Sequence, residues 1–179
     1  VVVHALGEGR QVVLLRKGGL ADKGGLFELR GKEFFLYPTY EHQTASAIQP
    51  RHLKDYASIL EDTKEKDQVP IQYYARVEEY AELSDLERLL MLRDEHIWSD
   101  QFVTQRFQYK AERPMQVLTV RVYRLPKPIV LDVVSFYRGC KSWVDLKAEL
   151  SAEGAEPVLA EEAFRARAEE IRNLLGSDH

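Results

Sequence analysis

The stretch Gln116-Val117-Leu118-Thr119-Val120-Arg121-Val122-Tyr123-Arg124-Leu125 is the clearest strand in the chain. Leu118, Val120 and Val122 point one way and Thr119, Arg121 and Tyr123 the other, which is the period of two of a half-buried strand. Pro126 and Pro128 follow, and residues without an N–H are expected to end the ladder there. A second long strand is expected from Val69 to Tyr80. Ile71, Tyr73, Ala75 and Val77 alternate there with Gln72, Tyr74, Arg76 and Glu78.

Outward from these two stretches the pattern is irregular. Val1 to Leu6 and Val12 to Arg16 are β-rich and joined by Gly7-Glu8-Gly9, a hairpin signal. Phe27 to Leu29 and Glu33 to Leu36 form a second candidate pair, turning at Gly31. Pro50 opens an expected helix through Leu53, Tyr56, Ala57 and Leu60, and the charged run from Glu61 to Gln68 reads as a loop. Ser84 and Glu87 make a capping box ahead of Leu86, Leu89 and Leu90. Ser99 caps a short helix whose Phe102, Val103, Arg106 and Phe107 share one side, and Ser142 caps another running to about Leu150. Ser151 to Glu156 reads as a linker. A last helix carries Phe164, Ala168, Ile171 and Leu175 on one face and stops at Gly176.

This order is not a regular βαβ alternation, which argues against a doubly wound parallel sheet. The expected class is α+β: a curved mixed or antiparallel sheet, or a small pseudobarrel, with packed helices and a C-terminal helix. Residues 1–150 are expected to form one α+β domain. Residues 151–179 are expected to form a linker and a helical appendage, with dimerisation as the favoured use of its apolar face.

Composition narrows the class further. A chain of 179 residues, 45% hydrophobic and 30% charged, suits one globular domain with a sizeable core. No apolar run approaches the roughly 20 residues that span a bilayer. No signal-peptide pattern is read, and no membrane partner is expected. Cys140 is the only cysteine, so intramolecular disulfides, zinc knuckles and CxxC redox pairs are excluded and a reducing cytoplasm is the simplest compartment. No histidine spacing suits a metal, and no cofactor is expected. Net charge is −4, but its distribution is uneven. From Gln101 to Leu150 nine cations face four anions, a local charge of +5 that can present one basic face.

The densest chemistry lies between Arg16 and Gln43. Arg16-Lys17-Gly18-Gly19 pairs two cations with glycines that let a backbone approach a bound phosphate and leave N–H donors free. Leu36-Tyr37-Pro38-Thr39-Tyr40-Glu41-His42-Gln43 packs a phenol, a carboxylate, an imidazole and an amide into four consecutive positions. With His96-Ile97-Trp98, Arg106-Phe107, Arg121-Val122-Tyr123-Arg124-Leu125-Pro126 and Gly139-Cys140-Lys141-Ser142-Trp143-Val144, these motifs resemble the prokaryotic family known as domain of unknown function 1802. The resemblance covers about Val1 to Leu150. It implies a context more than a mechanism: relatives associated with restriction-endonuclease-like domains point towards DNA defence. A looser likeness, over about a third of the chain, links the strand ending at Val77-Glu78-Glu79-Tyr80, the Ser99 to Phe107 helix and the strand from Val117 to Tyr123 to the middle of a PUA or ASCH domain. Those are small barrels that bind RNA or modified bases.

Each candidate has a plain structural use as well. His42 is the best acid–base candidate with Glu41 beside it, but strand alternation sends those two apart and puts Tyr40 on the histidine's side. Without a paired nucleophile, a hydrogen-bonded His42 is favoured over a catalytic one. Trp98 and Trp143 can stack on a base or fill a core. Arg121 and Tyr123 share a strand face, with Arg106 on a helix nearby in the chain. Cys140 reads best as a buried, inert thiol.

The leading expectation is a nucleic-acid-binding module, with modified bases among its candidate targets, in a restriction, defence or processing system. Its ligand-binding residues would be Arg16, Lys17, Gly18, Gly19, Tyr40, His42, Gln43, Trp98, Arg106, Arg121, Tyr123 and Trp143. Arg16, Lys17, His42 and Arg121 are expected to line one concave surface. The alternative is an enzyme acting on nucleic acid or a phosphorylated small molecule through His42 and the Arg16–Gly19 loop.

Overall fold

The computed structural model describes residues 1–17, 33–39, 44–61, 67–133, 146 and 149–176. Its frame is the pair of long strands. β3 (Gln68–Leu83) and β4 (Met115–Asp132) run antiparallel from Leu83↔Met115 to Gln68↔Asp132. β1 (Val13–Arg16) pairs with the other edge of β4, from Val13↔Thr119 to Arg16↔Gln116. β5 (Glu156–Pro157) continues along that same edge opposite Tyr123 and Arg124. β2 (Glu33–Phe35) pairs with the outer edge of β3. The described sheet is open and antiparallel throughout, in the order β1-β4-β3-β2, so the fold is α+β.

β4 does not stop at the prolines. Pairing lapses between Tyr73↔Arg124 and Ile71↔Ile129, and the gap holds Pro126 and Pro128. The missing N–H groups cost the ladder only locally, because Val130 and Leu131 find partners in Pro70 and Val69 beyond it. A second irregularity follows Val77↔Val120, where the next pair is Glu79↔Thr119. Glu78 is the extra residue of a bulge, and it inverts the phase of the strand. Val77 therefore joins Leu14, Leu118 and Val120 on one face, while Leu83 joins Val13, Met115 and Val117 on the other.

Helices cover both faces. The expected N-terminal hairpin is instead a short helix, α1 (Val2–Gly7). Its valines favour strand, but helical packing sends Leu6 onto the sheet and Ala5 against Ile48, Tyr56 and Ile97, and burial outweighs propensity. Gly7 is required by space, since a Cβ there would sit 2.1 Å from the Tyr73 ring. The helix expected from Pro50 is divided into a 3-10 turn (Pro50–His52) and α2 (Ala57–Glu61).

On the opposite face lie α3 (Leu86–Met91), α4 (Asp100–Gln108) and α5 (Glu161–Leu175). Asp85, not Ser84, caps α3: its carboxylate accepts from the N–H groups of Glu87 and Arg88, and its charge suits the positive helix start better than a hydroxyl. Ser99 caps α4 as expected, accepting from the Phe102 N–H. Of the helix expected after Ser142, the described Leu146, Glu149 and Leu150 stand outside any helix, and the rest lies outside the described residues.

α5 places Phe164, Ala168 and Ile171 in one core with Val12, Val13, Leu83, Leu89, Val103 and Val117. Arginine–carboxylate pairs tie it down along its length: Arg121 to Glu161, Arg167 to the buried Glu95 at 2.7 Å, and Arg172 to Glu79. Arg88 donates to the Leu175 carbonyl, and Gly176 ends the helix at φ 76°. Among the described residues no helix is long and apolar enough to cross a membrane.

Candidate functional site

Arg16 is the last residue of β1, and Lys17 leaves the sheet directly after it. The Lys17 side chain turns onto α4, with its ammonium 4.6 Å from the centroid of the Phe107 ring. Lys17 is only 6% exposed, and its Nζ has no hydrogen-bond partner. Desolvation lowers its pKa, and the charge of Glu112 only partly opposes this. Arg16 is half-buried, and its pKa is drawn down first by desolvation and then by the positive charge of Arg106. Arg16 from a strand and Arg106 from a helix are thus held close enough to repel.

The rest of this corner comes from the turn between α4 and β4. Tyr109 caps the C-terminus of α4. The next residue, Lys110, has φ 50°, the one positive φ outside glycine among the described residues. The Arg113 N–H donates to the Lys110 carbonyl at 2.9 Å and closes the turn before β4 begins. Arg16, Lys17, Arg106, Lys110 and Arg113 belong to these two segments, and among the described residues Glu112 is the carboxylate whose charge acts on Lys17.

The other described arginines are engaged. Arg10 holds Asp55, Arg51 Asp94, Arg76 Glu78 and Arg93 Asp100, and Arg124 donates to the Gly7 carbonyl. Arg16, Arg106 and Arg113 have no ion pair and no side-chain hydrogen bond among the described residues. Cations at the C-terminus of α4 also complement its dipole, which accounts for Arg106 and Lys110. It does not account for Arg16 and Lys17, which another element brings in.

The expected single surface is divided. Arg16 lies on the face of Leu14 and Leu118, and Arg121, five residues along β4 from the Gln116 partner of Arg16, lies on the opposite face. There Arg121 pairs with Glu161 and lies over the rings of Phe164 and Tyr123, its side chain 12% exposed. It locks α5 to the sheet. Tyr123 sits under both Arg121 and Arg76 and 5.9 Å from Tyr74. Trp98 stacks on Phe102 at 4.5 Å and pairs with Ile48 through the backbone, so one face of its indole is already covered. Arg106 does join Arg16 and Lys17. Gly18, Gly19, Tyr40, Glu41, His42, Gln43, Cys140 and Trp143 lie outside the described residues, so the enzyme alternative through His42 has no geometry to draw on.

Tyr109, Lys110 and Arg113 were not among the candidates. The run Arg106-Phe107-Gln108-Tyr109-Lys110-Ala111-Glu112-Arg113, cations interleaved with aromatics, was the signal that could have found them. His96 is a second surprise: it is 1% exposed, neither ring nitrogen makes a full hydrogen bond, and burial lowers its pKa to about 4 against the weaker pull of Asp100 and of nearby backbone groups at His96 and Trp98. A crevice of about 600 Å³ lies between β3 and the end of α5, but its charged walls are paired, Arg172 with Glu79 and Tyr80 with Glu82. Among the described residues no cluster of three His, Cys, Asp or Glu side chains could hold a metal ion.

The molecule is thus an α+β domain on an open antiparallel sheet, with cations near the ends of β1 and α4 that have no ion pair among the described residues. By sequence the chain belongs to the family described as domain of unknown function (DUF1802), whose model matches residues 1–170. That span takes in most of α5 as well as the motifs before it. No curated protein and no solved structure matches the chain.

Proposed function

We propose that this chain is a nucleic-acid-binding module whose phosphate contacts are Arg16, Lys17, Arg106 and Arg113. The observation that carries the reading is the buried Lys17 ammonium with no hydrogen-bond partner, near guanidiniums that have no ion pair among the described residues. A charge removed from water and only partly balanced by a neighbour such as Glu112 is costly to keep, which suits a site where a ligand supplies further negative charge. Arginine forks and a lysine point charge together suit phosphate oxygens. The net charge of −4 disfavours a protein coated broadly by nucleic acid and favours a few contacts at one corner. The association with restriction-endonuclease-like domains implied by the family resemblance supports a place in DNA defence or nucleic-acid processing, beside such a partner in a reducing cytoplasm.

The test is fluorescence anisotropy with single- and double-stranded DNA and RNA, with and without modified bases, over a range of salt. About three to five phosphate contacts give a slope of log affinity against log salt of roughly −3 to −5 on duplex DNA. Arg16→Ala should weaken binding about tenfold, the worth of one charge-assisted contact. Absence of binding to every one of these ligands would remove the proposal.

A further inference from the structure

We infer that the turn after α4 makes the site selective for single strands, with Tyr109 as a ring on which an unpaired base stacks. The inference rests on the phosphate-binding reading of the same corner. Tyr109 is 52% exposed, while most large aromatic side chains of the described core are covered. It is held in place without being hidden. Arg106 lies 5.7 Å and Lys110 5.3 Å from the centroid of its ring. Both charges lie over the ring itself, so a base that stacks there displaces a cation–π contact and frees that cation for the flanking phosphate.

The backbone points the same way. Lys110 occupies the left-handed region at φ 50°, which is strained for a residue with a Cβ. Reversing the chain there, and closing it with the Arg113 to Lys110 hydrogen bond, puts Ala111 and Glu112 at the tip of the turn and leaves the phenol exposed just before it. Strain kept in an exposed turn accords with a surface shaped for contact. A duplex keeps its bases stacked on one another and offers such a ring nothing but backbone. A single strand offers a free π-face of any sequence.

The experiment compares the whole chain with Tyr109→Ala, Tyr109→Phe and Tyr109→Trp, using oligo-dT, oligo-rU and a mixed-sequence duplex of about twelve nucleotides or base pairs. Loss of one stacked base should weaken single-strand binding by about five- to a hundred-fold in Tyr109→Ala. Tyr109→Phe and Tyr109→Trp should keep it, and duplex affinity should not change. Thermal unfolding of all three variants should match the parent, because the side chain is exposed. Unchanged single-strand affinity in Tyr109→Ala overturns the inference, as does an equal loss on duplex. If Arg16→Ala weakens binding while Tyr109→Ala does not, only the stacking inference falls. If the parent chain binds no nucleic acid, the phosphate-binding reading falls with it. The dT and rU arms separate DNA from RNA as the strand bound.

Discussion

Arg121 and Arg16 lie on neighbouring strands of one sheet, yet their surroundings differ in kind. Around Arg121 the cations are answered from within: Glu161, Glu95 and Glu79 take Arg121, Arg167 and Arg172. Around Arg16 they are left over. Lys17 meets a phenyl ring, Arg106 a phenol, and Arg16 a loss of water followed by the repulsion of Arg106. The first region shows what a chain does with arginine when it needs to fasten a helix. The second keeps charge it does not need for folding. Three measurements bear on that contrast.

The largest effect should come from removing residues 151–179. We propose that the folding unit runs through α5, because Phe164 and Ile171 are core residues. Their burial alone contributes about 3–6 kcal/mol, a large share of an ordinary domain's stability. The shortened chain should lose cooperative unfolding in denaturant. A stable, cooperatively folding fragment would make α5 an appendage after all and leave the fastening role of Arg121 without weight.

A smaller effect should appear on acidification. His96 is a buried base whose answer to lacking a full hydrogen bond is neutrality. Its pKa in the fold is about 4 against 6.5 unfolded, so the unfolded chain binds the extra proton between those values. Stability should be undiminished by this group above about pH 6.5 and fall as pH drops towards 4, by up to about 3 kcal/mol. Glu95, whose carboxyl burial raises against the pull of Arg167, works in the other direction, so the comparison must be made against His96→Gln. Identical acid limbs in the two proteins would show that His96 is not protonation-silent in the core.

The smallest change in stability should be that of Lys17→Met. Replacing an unpaired, buried ammonium by a thioether of similar length should leave stability unchanged or raise it by about 1 kcal/mol. The salt slope of nucleic-acid binding should become shallower by about one. A marked loss of stability would mean that Lys17 supports the fold, and the contrast between the two regions would narrow.

The two long strands were legible because alternation over ten or more residues is hard to imitate, and α5 because its apolar spacing is regular. The strand ends were not. Whether Pro126 ends a ladder or interrupts it depends on Val69 and Pro70, which lie far away in the chain. Simple alternation would put Leu83 on the Val77 face, and the Glu78 bulge turns it over. The valines of α1 pointed to strand, and only packing against Tyr73 and Ile97 corrects that. Of the site, Arg16, Lys17 and Arg106 could be named in advance by their chemistry. That Arg16 faces away from Arg121 could not, because it follows from the parity of a register. Tyr109 was passed over because exposure, which sets it apart, is not written in one sequence.

Arg167 of α5 donates to the carbonyl of Gly9, 158 residues earlier, and holds Glu95 as well. During synthesis the residues around Gly9 leave the ribosome long before α5 exists. Val12, Val13, Leu83 and Leu89 must therefore wait uncovered until the final helix emerges. Such a closure gives a high contact order and an interval in which an apolar face is open to chaperones or to other nascent chains. Yield in the cell should then depend on how quickly the last stretch of the message is translated.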